Sequence, residues 1–478
     1  MHQLIHLFTS YTKKSNPKIE ALLASGSNRK YFRLTQGDIS LISVYSPVCE
    51  ENRAFISLAN HFHKQGLNVP KVLAVSDDEL FYLQEDLGDT SLFDTIKSGR
   101  NTGVFNHEEK KLLHKTIARL ADFQHIGAQG LDFNVCYPLP EFNRRSIFWD
   151  LNYFKYNFLK TTGIEFREDL LENDFERFAD TLLEEKSDTF MYRDFQSRNV
   201  MVVDHNPYFI DFQGGRKGAI HYDVASFLWQ AKANFPQTLR DELIETYINS
   251  LKKYQAVNEI DFHQKLRQFV LFRTLQVLGA YGFRGYFEKK AHFIQSIPFA
   301  LDNLCELLKD GFDEYPYLKE ILETLTTRYN RAAAENEELT VRIFSFAYKN
   351  GIPDDISGNG GGYVFDCRAL HNPGRYPEYL FASGLDESVI NFIENGGEMA
   401  VFLANIYPLI DNHIKIFRAR NFTNLMISFG CTGGQHRSVY AAQKVAEYIS
   451  KQLNINVHLT HREQNIKQIF YREDELAH

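Results

Sequence analysis

Phe190-Met191-Tyr192-Arg193-Asp194-Phe195-Gln196-Ser197-Arg198-Asn199-Val200-Met201, followed by Tyr208-Phe209-Ile210-Asp211-Phe212, decides the fold. The stretch sets out a carboxylate, a carboxamide five positions later, and a second carboxylate behind a short apolar strand. Phosphoryl transfer from ATP needs such a trio, because the protein mainly orients one hydroxyl and holds Mg²⁺ against the phosphates. Asp194 is expected beside the acceptor hydroxyl, with Asn199 and Asp211 as oxygen ligands of the metal. Either aspartate alone would serve equally well as a turn cap. Both in this order, behind a β-rich segment, point to a small-molecule kinase.

Outward from the motif, residues 1–88 read as a helix and then a β-rich lobe. A hairpin turns at Gly26-Ser27-Asn28, Ile39 to Tyr45 is a strand, and Glu51 to Gln65 is a helix. Val69 to Val75 and Leu80 to Gln84 are further strands. From Ser91 the period becomes helical, with Leu113, Ile117, Leu120 and Gln124 on one face of a long helix. Residues 141–187 and 223–330 are mostly helix. The expected architecture is an α+β bilobal protein-kinase-like fold, with a β-rich N-lobe over 1–88 and a helical C-lobe over 89–330.

Residues 331–338 are polar and are assigned as a linker. The pattern after them changes to strands Leu339 to Phe346 and Tyr363 to Cys367, helices at 386–395 and 398–420, and a buried strand Leu425 to Phe429. A glycine loop, the helix Ser438 to Leu453 and a strand Val457 to Leu459 complete it. That order predicts a smaller α/β domain over 339–478 with a mainly parallel sheet.

At 478 residues the chain is too long for one core. Its net charge of −8 gives no support for non-specific nucleic-acid binding. No apolar run approaches the length of a membrane span, and the start shows no basic leader, so a cytoplasmic protein is expected. Five scattered cysteines without a CxxC pair suit reduced thiols rather than a disulfide or zinc framework.

Gly26-Ser27-Asn28-Arg29-Lys30-Tyr31-Phe32-Arg33, Glu85-Asp86-Leu87-Gly88-Asp89 and the catalytic stretch resemble the aminoglycoside phosphotransferase/choline kinase-like family over about residues 1–330. Within it the likeness is closest to kinases of the anomeric hydroxyl of N-acetylmuramate or N-acetylglucosamine. The resemblance implies ATP and Mg²⁺ as cofactors, Asp194 as general base, and Asn199 and Asp211 as metal ligands. It also implies nucleotide contacts from Ser27, Asn28, Arg29 and Lys30 and from the backbone of Glu85, Asp86 and Leu87, with Asp223 bracing the catalytic loop. Three departures stand out. Tyr192 occupies the place of the usual histidine, and Gln213 follows Asp211 where a third acid sometimes sits. Leu41-Ile42-Ser43-Val44-Tyr45 carries no phosphate-binding lysine, leaving Arg29, Lys30 or Arg33 to supply the charge. That missing lysine keeps open a second reading, a nucleotide-binding pseudokinase with a regulatory role.

Gly430-Cys431-Thr432-Gly433-Gly434-Gln435-His436-Arg437-Ser438 lies between a strand and a helix, where backbone N–H groups and hydroxyls suit an anion. With Ser345 to Pro353, Phe365-Asp366-Cys367-Arg368, Asn372-Pro373, Ser383-Gly384-Leu385-Asp386 and His461-Arg462, it resembles the C-terminal domain of the RapZ family. The resemblance implies a phosphorylated amino sugar held by Thr432, Gly433, Gly434, His436 and Arg437, with the Ser438 hydroxyl beside them. It also admits a homo-oligomer. The family's P-loop half and basic tail are not legible, which counts against RNA as a partner but leaves a phosphosugar- or RNA-binding module within the regulatory reading. The loop satisfies the C-x₅-R-S pattern of cysteine phosphatases as well, without a recognisable aspartate acid.

Overall fold

The computed structural model describes residues 2–22, 29–185, 188–309, 311–335, 339–355, 357, 361–419 and 422–471. The predicted turn residues Ser27 and Asn28, residues 336–338 of the assigned linker, and the loop tip 358–360 lie outside them. The chain divides into two compact units, Met1–Thr326 and Thr327–His478. The division falls inside a helix, Pro316–Glu335, which includes the first part of the assigned linker.

In the first unit, short strands build a five-stranded antiparallel sheet whose inner strands are the more buried. Its strands are β1 (Lys18–Leu22), β2 (Lys30–Gln36), β3 (Ile39–Tyr45), β4 (Val72–Val75) and β5 (Phe81–Glu85), in the order β1-β2-β3-β5-β4. Leu4, Leu7 and Phe8 of the first helix, His2–Thr12, seal a small core with Leu34, Leu41 and Leu83. Helix Cys49–Lys64, between β3 and β4, buries Phe55, Leu58 and Phe62. Phe55 stacks on Phe212 at 4.8 Å, which couples the sheet lobe to the segment carrying Asp211.

The rest of the unit is helical, as the pattern predicts. Helix His107–His125 begins at a capping box of Asn106 and Glu109 and buries Leu113, Ile117, Leu120 and Gln124. Two short hairpins interrupt the helices: β6 (Thr189–Met191) pairs with β9 (Arg216–Gly218), and β7 (Val200–Val203) with β8 (Asn206–Phe209). The catalytic stretch links β6 to β7, and Asp211 links β8 to β9. Both carboxylates thus sit on connections whose two ends are tied by backbone ladders.

The second unit is a five-stranded sheet of β10 (Thr340–Ala347), β11 (Tyr363–Asp366), β12 (Asn424–Cys431), β13 (Asn456–His461) and β14 (Ile466–Phe470). The order is β11-β12-β10-β13-β14, and every pairing is parallel except that of β14. Val341, Ile343, Ile427 and Phe429 meet Val445 and Ile449 of helix Arg437–Leu453 in its core. The antiparallel β14 is absent from the sequence reading. Its Lys467 and Ile469 are exposed and its other residues only half-buried, so it lacks the apolar run of a central strand. Among the described residues no helix is long and apolar enough to cross a membrane.

Candidate functional site

Asn199 holds the motif together. Its Nδ2 donates to the main-chain oxygen of Asp194 at 2.9 Å and to Asp211 Oδ2 at 3.3 Å. The second Asp211 oxygen accepts from Gln213 Nε2 at 2.7 Å, so the residue standing in place of a third acid orients the carboxylate. Asp211 adopts a left-handed backbone, φ +67°, a conformation that costs a non-glycine residue energy and recurs at functional positions. Burial pushes the Asp211 carboxyl up, and the nearby charge of Asp194 adds to this. Two carboxylates in mutual repulsion, with an amide oxygen at hand, form an oxygen donor set that a divalent cation would relieve. Among the described residues no three His, Cys, Asp or Glu side chains gather into a metal cage. Asp194, Asn199 and Asp211 would supply only part of a divalent cation's shell, with waters and phosphate oxygens completing it.

Asp194 itself is about half exposed, with Oδ1 at 3.7 Å from Arg273 Nη2. The loop carrying it is fixed from behind by Asp223. That carboxylate accepts the backbone N–H groups of Tyr192 at 2.8 Å and Arg193 at 2.9 Å, and Gln124 Nε2 at 3.3 Å. Burial pushes Asp223 up to about 7 against these three donors. Arg193, also at positive φ, is clamped to Asp150 at 2.9 Å. The Tyr192 hydroxyl donates to the Ile210 carbonyl, tying the Asp194 loop to the segment that carries Asp211. The departure from histidine thus retains a hydrogen bond at that position.

A cleft of about 440 Å³ opens beside Asn199 and Asp211 and is lined by Arg29, Tyr82, Glu85, Asp86, Leu87 and Met201 among others. The size is that of a typical small-molecule site. Arg29 points into it from the start of β2 with a side chain only 1% exposed, its Nε 3.4 Å from Glu51 Oε2. An arginine of the glycine turn thus takes the ion pair that the missing strand lysine would have made. Lys30 does not share this position. Successive residues of a strand face opposite sides, so Arg29, Tyr31 and Arg33 line the cleft while Lys30 is exposed away from it. Arg33 is committed elsewhere, 2.7 Å from both Asp86 and Asp89. Asp86 also accepts from Ser40 Oγ at 2.5 Å and Gly88 N at 3.0 Å; burial pushes its carboxyl up, but these bonds hold it below the usual range. Its side chain shapes the connection after β5, where Glu85, Asp86 and Leu87 line the cleft.

In the second unit the predicted anion loop is divided. Thr432 and Gly433 are exposed, past the C-terminal end of the parallel strand β12 and before helix Arg437–Leu453. The remaining residues turn inward. The His436 ring nitrogen lies 2.9 Å from the Tyr379 carbonyl, and Ser438 Oγ is buried 3.1 Å from Cys431 Sγ. Arg437 is 4% exposed and donates to the carbonyls of Arg368 at 3.0 Å and Leu370 at 2.8 Å. This corrects the expectation of a guanidinium reserved for phosphate, and it does not favour the phosphatase pattern, which needs that fork over the thiol. Gly434, at φ +66°, accepts from Gln464 through its carbonyl. Gly384 packs so closely that a Cβ there would meet the His436 carbonyl at 2.2 Å. None of the five cysteines forms a disulfide.

Two family models match the chain: the phosphotransferase enzyme family over residues 18–260, and the RapZ C-terminal domain over 339–465. A nucleotide-binding protein of Halorhodospira halophila is 38% identical over 133 residues, 28% of this chain and 44% of that protein. The chain spans about half the length of the curated relatives it matches. Among solved structures, choline kinase of Cryptosporidium parvum Iowa II aligns at 13% identity and TM-score 0.45, covering 66% of this chain and 94% of that one. Aminoglycoside phosphotransferase APH(4)-Ia aligns at 14% and TM-score 0.42, covering 64% and 97%. With the first model spanning more than half of its residues, the chain belongs to the phosphotransferase enzyme family and carries a RapZ C-terminal domain after it.

Proposed function

We propose that the chain transfers the γ-phosphoryl group of ATP to a sugar hydroxyl, the anomeric hydroxyl of an N-acetylated amino sugar such as N-acetylmuramate or N-acetylglucosamine. The observation that carries this reading is the Asn199 bridge, which holds Asp211 and the Asp194 loop at one end of a nucleotide-sized cleft. On this reading residues 1–88 and 89–330 are the two lobes, and 339–478 is the attached sensor. Asp194 aligns the hydroxyl and takes its proton as the oxygen attacks phosphorus in line with the departing ADP. Asn199 and Asp211 would hold Mg²⁺, which supplies charge neutralisation on the phosphates. Arg29, buried and oriented by Glu51, adds a fixed positive charge on the nucleotide side. The missing strand lysine motivates the pseudokinase reading, and the Arg29–Glu51 pair removes much of that motive.

Thr432 and Gly433 present exposed backbone ahead of a helix N-terminus, a position suited to a phosphate. We place the phosphorylated amino sugar there, with His436 and Arg437 shaping the loop from behind. The relatives' printed name, nucleotide-binding protein, leaves nucleotide as the competing ligand. The test is ADP release with a panel of amino sugars, with the new phosphate located by ³¹P NMR. Turnover of an N-acetylated amino sugar with an anomeric phosphate signal is expected. Titrations with glucosamine-6-phosphate alongside no turnover of any sugar would replace the kinase reading with the regulatory one.

A further inference from the structure

Beside the Asp194 loop, adjoining the cleft at Arg198, lies a second recess walled by Arg198, Lys232, Arg273, Trp229 and Tyr281. Arg273 reaches Asp194 from it, with its side chain 7% exposed and its Nε bonded to Ser226 Oγ at 3.1 Å. Arg100 stands behind the wall, its guanidinium 3.4 Å from the Phe93 ring centroid and Nη1 donating to the Lys232 carbonyl. Arg198 shares the same ring at 5.7 Å. Among the described residues, no aspartate or glutamate forms an ion pair with Arg100, Arg198 or Lys232. Asp194 lies 3.7 Å from Arg273 and Asp94 acts on Arg100, while the Lys232 ammonium donates to the His292 carbonyl at 3.2 Å. Burial, with Arg198 and Arg100 nearby, pushes the Lys232 ammonium down, the direction expected of a cation that lacks a counter-charge.

Such crowding is not a product of composition, because the chain carries a net charge of −8. Nor does it belong to the nucleotide. Arg198 lines both spaces, but Lys232 and Arg273 line only the recess. Solvation of surface cations explains Arg198, which is exposed, but not the half-buried Lys232 or the buried Arg273. The recess holds about 20 Å³ of solvent-sized space, room for one small group and not for a whole sugar.

We propose that the acceptor alcohol carries an anionic substituent, a carboxylate or a phosphate, that seats against Arg198 and Lys232 while its hydroxyl lies at Asp194. The inference rests on the phosphoryl-transfer reading above and narrows its substrate class. It runs against cationic acceptors, which these side chains would repel.

The experiment compares kcat/KM of the full chain for N-acetylglucosamine, N-acetylmuramate, N-acetylglucosamine-6-phosphate and choline at low and high salt. An anionic member should exceed the neutral one by about tenfold or more, and salt should narrow the gap. The first and second anions separate carboxylate from phosphate. Lys232→Gln and Arg198→Gln should each shrink the charged-to-neutral ratio severalfold. Equal use of neutral and anionic sugars, preference for choline, or a ratio unmoved by Lys232→Gln would overturn the inference. If no member turns over, the sugar reading fails separately. Trp229 fluorescence, titrated with inorganic phosphate in the presence of AMP-PNP and Mg²⁺, then decides the recess. A saturable change weakened about tenfold by Lys232→Gln supports it, and no change in the wild-type chain refutes it.

Discussion

Asn199, Asp211, Asp86 and Arg29 are each held at the cleft by a named partner, and the predictions at this scale follow from those bonds. Asp194→Ala removes the group that accepts the hydroxyl proton, and a fall in kcat of about 10²- to 10⁴-fold is expected. Asp211→Asn should weaken the Mg²⁺ dependence of turnover most, because it removes one charge from the oxygen set. A Mg²⁺ titration of both variants separates the two roles. Arg29→Ala strips the buried partner of Glu51, and kcat/KM for ATP should drop by about 100-fold. Arg29→Lys should recover part of the loss, because an ammonium carries the charge without the guanidinium fork. Equal activity of wild type and Arg29→Ala would mean that another cation serves the phosphates.

Elements decide how those residues are presented, and here the sequence was readable to different depths. Strand Ile39 to Tyr45 is legible because Leu41 to Val44 are all buried, and the helix because Leu113, Ile117 and Leu120 recur on one buried face. Strand β14 escaped notice because both its faces are partly wet. The Asp194, Asn199 and Asp211 spacing was legible since local chain geometry sets it. Arg273 and Asp150 were not, because they reach the loop from distant helices and no local pattern announces such contacts. Lys30 was misjudged for a related reason: its side of β2 depends on register, which the turn residues do not disclose.

Two predictions belong to elements. Helix His221–Leu228 buries His221 between Phe262 and Phe269, and burial pushes the imidazole down to about 3. The folded chain thus keeps it neutral while the unfolded chain protonates it near pH 6.5. Stability present above that value is lost as pH falls toward 3. Melting temperatures of wild type and His221→Phe between pH 7 and 5 should show the steeper decline in wild type. In the loop after β12, a Cβ on Gly433 meets nothing within 4 Å. Gly433→Ala should leave the melting temperature in place while weakening glucosamine-6-phosphate binding about tenfold, because the methyl obstructs close approach to the backbone.

At the scale of the whole molecule, the chain divides into two compact units, the second with a core of its own. Scanning calorimetry should resolve two transitions, since all-or-none melting is a property of single domains. AMP-PNP with Mg²⁺ should raise the transition of the first unit by mass action, and glucosamine-6-phosphate that of the second. A single transition moved equally by either ligand would reveal energetic coupling between the units.

The phenol at position 192 has a consequence of its own. Burial pushes it far above the range in which tyrosines ordinarily ionise, and the carboxylates around it add to the effect. A histidine in that place would gain a proton in mild acid and alter the loop's support, whereas this side chain keeps one protonation state throughout. Turnover measured against acidity should therefore fall through carboxyl groups alone, with no inflection of imidazole origin from the catalytic loop.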